Sequence, residues 1–260
     1  MIELEIKKSI EENAGIYFDK AKKAKKKIEG ANEALEKARG QLKVLEEKKE
    51  ADIIKAVEIS KEKIERKKQW FEKFRWFMTS EGFLVIGGRD ATSNEIVVKK
   101  HTDQDDLVFH TDMSGSPFFV LKTGGKKPSK KSLEETGDAT CSFSRAWKLG
   151  LGSQRVFYVN PDQVSKEAKA GEYIVKGSFM IKGKTNYVDN KINAAVGITE
   201  EGAIMSGPVD AVKKHCEKYV ELVQGSDKAS AVAKKIRQKI GGELDDIIRS
   251  MPSGGCSIKK

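Results

Sequence analysis

Arg89, Asp90 and Asn94 follow two glycines at the end of an apolar run: Phe83-Leu84-Val85-Ile86 leads through Gly87-Gly88 into Arg89-Asp90 and then Asn94. A guanidinium, a carboxylate and an amide delivered together at a strand end can hold the polar groups of a ligand. Paired glycines can also bare backbone N–H groups beside them. Arg75 precedes this cluster within Arg75-Trp76-Phe77, and His110 follows in a later strand-like run, placed nearby across the sheet. The plain structural alternative is a hairpin turn with Arg89 and Asp90 as a solvated ion pair.

Other residue sets carry less chemistry. A nucleophile needs a base and an orienter within reach, and Cys141 with His110 and Asp112 is the candidate set. Cys141 lies beside Ala139 and Phe143 in a segment that reads as helix, where a small buried thiol is the ordinary explanation. His101, His110 and His215 are the three histidines, and no ligand spacing of cysteine or carboxylate accompanies them, so neither a metal nor a cofactor is expected. Lysines are more informative. Gly124-Gly125-Lys126-Lys127-Pro128-Ser129 sits between a strand and a helix start, where backbone N–H groups favour an anion, but its spacing does not match a nucleotide-binding GxxxxGK[ST] loop. Lys182, Lys184 and Asn186 with Tyr187 interleave charge and an aromatic ring, a pattern that grips phosphate and stacks a base. The alternative there is a hairpin with a snorkelling lysine. Lys20, Lys22, Lys23, Lys25, Lys26 and Lys27 form a cluster that as helix wraps much of the circumference, either a solvated face or a phosphate-binding strut.

The elements that must position these residues divide near residue 77. Residues 1–77 hold no proline and only Gly15, Gly30 and Gly40. Ile28, Ala31, Leu35, Ala38, Leu42 and Leu45 recur at 3–4 spacing, and a second stripe runs from Ile53 to Phe74, so both fit coiled-coil seams. The polar link Glu46–Asp52 is the expected reversal of an antiparallel helical hairpin, with a single long helix as the alternative. From Gly82 the period becomes strand-like, at Phe83–Gly87, Glu95–Lys99, Leu107–His110 and Phe118–Lys122. A helix is predicted over about Lys130–Trp147, then strands at Arg155–Val159, Glu172–Lys176, Ser178–Ile181, Ala194–Thr199 and Ala203–Ser206. Pro208–Cys216 reads as helix, Tyr219–Val223 as strand and Ser226–Ile240 as helix.

The chain of 260 residues carries 49 Lys+Arg against 39 Asp+Glu, a net charge of +10 that suits phosphate-rich partners. Three dispersed cysteines, Cys141, Cys216 and Cys256, fit a reducing cytosol rather than a disulfide scaffold or zinc ribbon. No apolar run is long enough to span a membrane, and the start MIELEIKKSI is unlike a signal peptide.

Several long blocks, taken in order, resemble the NFACT-R domain of the NFACT family, ribosome quality control factors that include the NEMF-type proteins. They are RWFMTSEGFLVIGGRDATSNE, DDLVFHTDMSGSPFFVLK, NPDQVSKEAKAGEYIVKGSFMIKGKTNY and, less specifically, PSGGCSI. SIEENAGIYFDKAKKAKKKIEGANEALE looks like the start of the family's coiled coil. The resemblance implies an RNA-binding module on a factor that binds the large ribosomal subunit carrying a stalled peptidyl-tRNA, where some members recruit aminoacyl-tRNA to extend the nascent chain. The family's N-terminal domain, with its tRNA-selecting residues, has no counterpart in this sequence and is a possible partner, so none of those residues carries over.

The resulting expectation is an α+β protein: an antiparallel coiled-coil helical hairpin over 1–77, then a mixed β-sheet domain with packed helices over 78–260, its last part from 191 matching the family more loosely. Its function is read as noncatalytic and cytoplasmic, binding ribosomal RNA, tRNA or both on the large subunit. Arg75, Arg89, Asp90, Asn94, His110, Lys126, Lys127, Lys182, Lys184 and Asn186 are the expected RNA contacts, and the cluster Lys20–Lys27 the expected ribosome contact. The competing readings are a nucleic-acid-processing enzyme using Arg89, Asp90 and His110, and a protein-interaction arm.

Overall fold

The structure, a computed structural model, describes residues 3–61, 66–167 and 174–259, with only the backbone of 47–61. It divides into two compact units, Met1–Glu65 and Arg66–Lys260.

The first unit is one helix, α1 (Ile10–Lys61). Its start is written locally: the Ser9 hydroxyl accepts from Glu12 N at 3.1 Å while the Glu12 carboxylate accepts from Ser9 N at 2.8 Å, a capping box. The Asn13 amide then donates to the carbonyls of Glu5, Lys8 and Ser9, tying down the segment before the helix. With no proline to interrupt it, α1 runs through Glu46–Asp52, where the reversal was expected; in this form the chain adopts the single-helix alternative. Ile28, Leu35, Leu42 and Leu45 are consequently exposed, forming the apolar seam that a hairpin would cover.

The second unit begins earlier than residue 77. Trp70–Lys73 is a 3-10 turn and Arg75–Met78 is already a strand, β1, so the second apolar stripe is not helical to its end. Phe71 and Phe74 belong to the globular core instead. The elements that follow are β2 (Leu84–Gly87), α2 (Ala91–Lys100), β3 (Leu107–Thr111), β4 (Phe119–Lys122), α3 (Lys130–Ser142), α4 (Arg145–Leu149) and β5 (Val156–Val159). Next come β6 (Val164–Ser165), β7 (Met180–Ile181), β8 (Asn186–Val188), β9 (Ala194–Ile198), β10 (Ile204–Gly207) and α5 (Val209–His215). The chain finishes with β11 (Lys218–Gln224), α6 (Ala229–Ile240), α7 (Leu244–Ser250) and β12 (Cys256–Ile258).

The fold is α+β. A six-stranded sheet has the order β1-β2-β4-β3-β5-β8, a four-stranded sheet the order β10-β9-β11-β12, and β6 pairs with β7. Every pairing among the described residues is antiparallel, which narrows the mixed sheet expected from the sequence. One core gathers around the six-stranded sheet, with Phe77, Ile86, Phe109 and Phe119 fully buried. A second lies around the four-stranded sheet and α6, with Val196, Ile236 and Ile247 buried beside Trp147. The sheets approach closely at Gly207, where an added Cβ would sit 2.6 Å from the ring of Phe77.

Three segments differ from their sequence reading. Glu95-Ile96-Val97-Val98-Lys99 is part of α2, not a strand. Its β-branched run favours extension, but Asp90 caps the segment by accepting from Ser93 N at 2.8 Å, and the helical turn buries Asn94 and Val97. The single helix expected over Lys130–Trp147 is two, because Ser144 turns the chain and accepts from Ala146 N at 3.0 Å to start α4. Residues 174–176 are not strand, and the rest of the strand expected over Glu172–Lys176 lies outside the described residues. Strands at Ala194–Ile198, Ile204–Gly207 and Lys218–Gln224 and the helix Val209–His215 stand close to their expected positions.

Candidate nucleic-acid interface

The site grows from the end of β2. Gly87 and Gly88 are needed for space rather than for an unusual φ. A Cβ on Gly87 would meet the Phe119 ring at 2.3 Å, and one on Gly88 would meet Asn94 Oδ1 at 1.9 Å. Gly88 N donates to Phe118 O at 3.1 Å and Phe118 N donates to Asn94 Oδ1 at 3.2 Å, so Asn94 ties the start of α2 to the edge of β4. Asn94 is buried, and its amide oxygen serves the scaffold.

Both arginines fold back onto this turn. Arg75, opposite Gly87 in the β1–β2 register, donates from Nη1 to Gly88 O at 2.7 Å and from Nη2 to Ser253 Oγ at 3.3 Å. Its guanidinium lies over the Phe143 ring, 5.1 Å from the centroid. Only 6% of Arg75 is exposed, and burial, with the like charge of Arg89, pulls its pKa down to about 10, so it stays cationic at neutral pH. Arg89 donates to Glu72 O at 3.1 Å and Phe74 O at 2.9 Å, which makes it a brace between the β2 turn and the approach to β1. The Nε of each arginine is buried without a hydrogen-bond partner. Asp90 is the cap of α2, not the partner of an Arg89 ion pair.

His110 lies beside this cluster with both ring nitrogens engaged: Nδ1 is 2.7 Å from Thr111 O and Nε2 is 3.2 Å from Ser116 O. Its ring stacks on Phe118 at 4.2 Å between centroids. Burial lowers its pKa, opposed by those two carbonyls.

Arg75, Arg89, Asp90, Asn94 and His110 all line one cleft of about 710 Å³. Sequence reasoning found that group and missed the opposite walls. Arg145 and Lys148 come from α4, and Lys176, Gly177 and Phe179 from the segment before β7. Among the described residues, Arg75, Arg89, Arg145, Lys148 and Lys176 therefore face a single lining carboxylate, Asp90. Among the described residues none of these five cations forms an ion pair. The wall of Gly177 is clamped to α2: its Cβ position is 2.5 Å from Ala91 Cα, and Gly177 N donates to Glu95 Oε1 at 3.1 Å.

Glu95 also pairs with Lys166 at 2.7 Å, and that hydrogen bond together with Gly177 N holds its pKa down to about 2 from 4.5. A depressed carboxylate pKa contributes stability that is present above the unfolded value and lost as pH falls through the folded one. The clamp is thus expected to weaken between pH about 4.5 and about 2. The protection factor of the Gly177 amide, its exchange referred to the intrinsic rate at each pH, should fall as pH drops through that window in the wild type and show no such fall in Glu95→Gln; pH-independent protection in the wild type would count against the clamp.

The remaining expected contacts lie elsewhere. Lys126 and Lys127 are exposed on the loop before α3, outside the cleft. The start of α3 does not offer its N–H groups freely, because the Glu81 carboxylate accepts from Ser129 N at 3.2 Å and from the Ser132 hydroxyl. Lys182 pairs with Glu167 at 2.7 Å. Lys184 is exposed, with its carbonyl accepting from Gln163 Nε2 at 2.9 Å, and Asn186 opens the edge strand β8. Lys20, Lys22, Lys23, Lys25, Lys26 and Lys27 are exposed on α1.

The cysteines are buried thiols. Burial pushes Cys141 up to about 11, Cys216 to about 12 and Cys256 to about 11, which leaves no thiolate nucleophile at neutral pH. Among the described residues no cluster of histidine, cysteine and carboxylate is arranged to hold a metal.

The profile of the NFACT protein RNA binding domain matches residues 73–183, which contain the β2 turn and most of the cleft lining. The archaeal Rqc2 homolog aRqcH of Methanocaldococcus jannaschii is 41% identical over 207 residues, covering 77% of this chain. The chain belongs to the NFACT family. NEMF, the ribosome quality control complex subunit of Homo sapiens, is 38% identical over 68% of the chain, and ribosome quality control complex subunit 2 of Schizosaccharomyces pombe is 33% identical over 72%. The chain spans 31%, 16% and 18% of the lengths of these three NFACT relatives, respectively. The NFACT-R match ends near β7, so Lys184 and Asn186 lie beyond it.

Proposed function

We propose that Arg66–Lys260 is a noncatalytic RNA-binding module of a ribosome quality control factor, and that its cleft is the RNA-binding surface. The observation that carries this reading is the convergence, among the described residues, of five cations without an ion pair on a cleft lined by one carboxylate. Such a concentration of charge attracts a polyanion, and the Arg75 and Arg89 guanidiniums, which form no ion pair among the described residues, gain from an incoming phosphate. The relatives are named as ribosome quality control factors, which supports ribosomal RNA or tRNA on the large subunit as the partner and the cytoplasm as the location. No helix among the described residues is long and apolar enough to cross a membrane. The lysines of α1 are assigned a second, purely electrostatic contact with ribosomal RNA, and Lys126, Lys127, Lys182, Lys184 and Asn186 a peripheral one. A family N-terminal domain is a further proposed partner.

The noncatalytic part of the reading rests on how the would-be catalytic groups are spent. Asp90 caps α2, Arg89 braces two carbonyls, and His110 has a carbonyl against each ring nitrogen. The exposed seam Ile28–Leu45 favours an additional protein-interaction role for the arm.

Equilibrium binding of the whole chain to tRNA and to large-subunit RNA across a salt series tests the reading. Affinity is expected to fall steeply, with log Kd linear in log salt and a slope of several, because each neutralised phosphate releases counterions. No binding to either RNA, or binding indifferent to salt, would sink it.

A further inference from the structure

The floor of the cleft is recessed. Arg75 is 6% exposed and still lines the cavity, so an anion that reaches it must leave bulk water and descend between the walls. Around that floor the walls are aromatic: Phe118 and His110 stack at 4.2 Å, Phe179 packs edge-on to Phe118 at 5.2 Å, and Phe143 lies under the Arg75 guanidinium. The rim carries the exposed charges Arg145, Lys148 and Lys176. Charge at the bottom and rim with rings between is a different design from a flat basic face. A duplex offers phosphates on a convex rod and keeps its base faces stacked inside. An unpaired nucleotide offers both a phosphate that can be lowered into a pocket and a bare π-face for the walls. The volume, about 710 Å³, is within the range of small-molecule sites and admits a nucleotide.

We propose that this cleft takes an unpaired nucleotide, its phosphate on the Arg75–Arg89 floor and its base against the Phe179 wall. This inference rests on the RNA-binding reading above and narrows it from RNA in general to single-stranded or flipped-out positions. The same chemistry belongs to a nucleotide within a strand and to a free mononucleotide. The strand is favoured, because the rim cations lie where flanking phosphates would pass.

The test uses the full chain, a labelled single-stranded RNA of about 10 nucleotides, within the site sizes of single-strand folds, and the same strand annealed to its complement. The single strand is expected to bind about tenfold more tightly than the duplex. Phe179→Leu keeps apolar bulk without the ring and is expected to weaken single-strand binding about tenfold while duplex binding and the melting temperature stay put. Arg75→Lys, which keeps the charge and loses the planar fork, should also weaken the strand selectively. If Arg75→Lys unfolds, the Phe179 variant still decides. Uridine monophosphate in excess is the competitor: displacement of the strand, or its failure to displace a strand that Phe179→Leu weakens, both leave the nucleotide pocket standing and separate free from strand-borne occupant. Equal affinity for duplex and single strand, both salt-dependent, overturns the pocket and leaves the RNA reading intact. Displacement of the strand by a phosphoserine peptide as effectively as by the mononucleotide would overturn it as well. Absence of binding to any RNA removes both.

Discussion

Replacing Gly88 by alanine is expected to destabilise Arg66–Lys260 by about 3 kcal/mol, at the upper end of what overpacking costs. The new methyl would sit 1.9 Å from Asn94 Oδ1 and 2.8 Å from Asn94 N. Neither atom is the free end of a flexible side chain: the amide oxygen accepts from Phe118 N and the backbone nitrogen donates to Asp90 O at 2.9 Å inside α2. Relief requires moving the first turn of α2 off the sheet, which also breaks the hydrogen bond from Arg75 to Gly88 O. Urea unfolding of wild type and variant measures the effect. Gly152→Ala is the control, since nothing lies within 4 Å of its Cβ position, and a change within about 0.5 kcal/mol is expected there. A Gly88→Ala protein as stable as wild type would mean that the turn is looser than its packing indicates.

Reversing the rim, Arg145→Glu with Lys148→Glu and Lys176→Glu, is expected to lower RNA affinity on the order of 100-fold at about 50 mM salt and to reduce the salt slope by about 2, the loss of three single-strand phosphate contacts. All three side chains are exposed and none is ion-paired among the described residues, so stability should move by no more than about 0.5 kcal/mol. Comparison with Lys126→Glu plus Lys127→Glu locates the interface. Those lysines lie outside the cleft and should cost less, and Lys182, already paired with Glu167, less again. If the loop lysines outweighed the rim, the cleft would lose its place as the principal surface. Binding and thermal melting on the same samples separate a lost contact from a lost fold.

Much of this protein was legible where the deciding physics is local. The helical arm follows from the 3–4 apolar spacing over Ile28–Leu45 and from the absence of proline, and the net charge of +10 suits a phosphate-rich partner without any coordinates. The run Phe83–Ile86 ending in Gly87-Gly88 marks a turn that gathers polar residues, and the structure does place Arg75, Arg89, Asp90, Asn94 and His110 around one cleft.

What those residues do there was settled only by their neighbours in space. Asp90 faces Arg89 in sequence but caps α2, and Asn94 looks like a ligand donor but fastens a backbone. The β-branched run Ile96-Val97-Val98 is helical because burial of Val97 and a cap outweigh its intrinsic preference. Arg145, Lys148 and Lys176 carry no signal of their own, being ordinary surface cations in two separate segments. Only the packing of α4 and of the segment before β7 around the β2 turn brings them to the same opening. Electrostatic potential in a cleft sums over positions in space, and those positions are set by long-range contacts that a linear sequence reading does not contain.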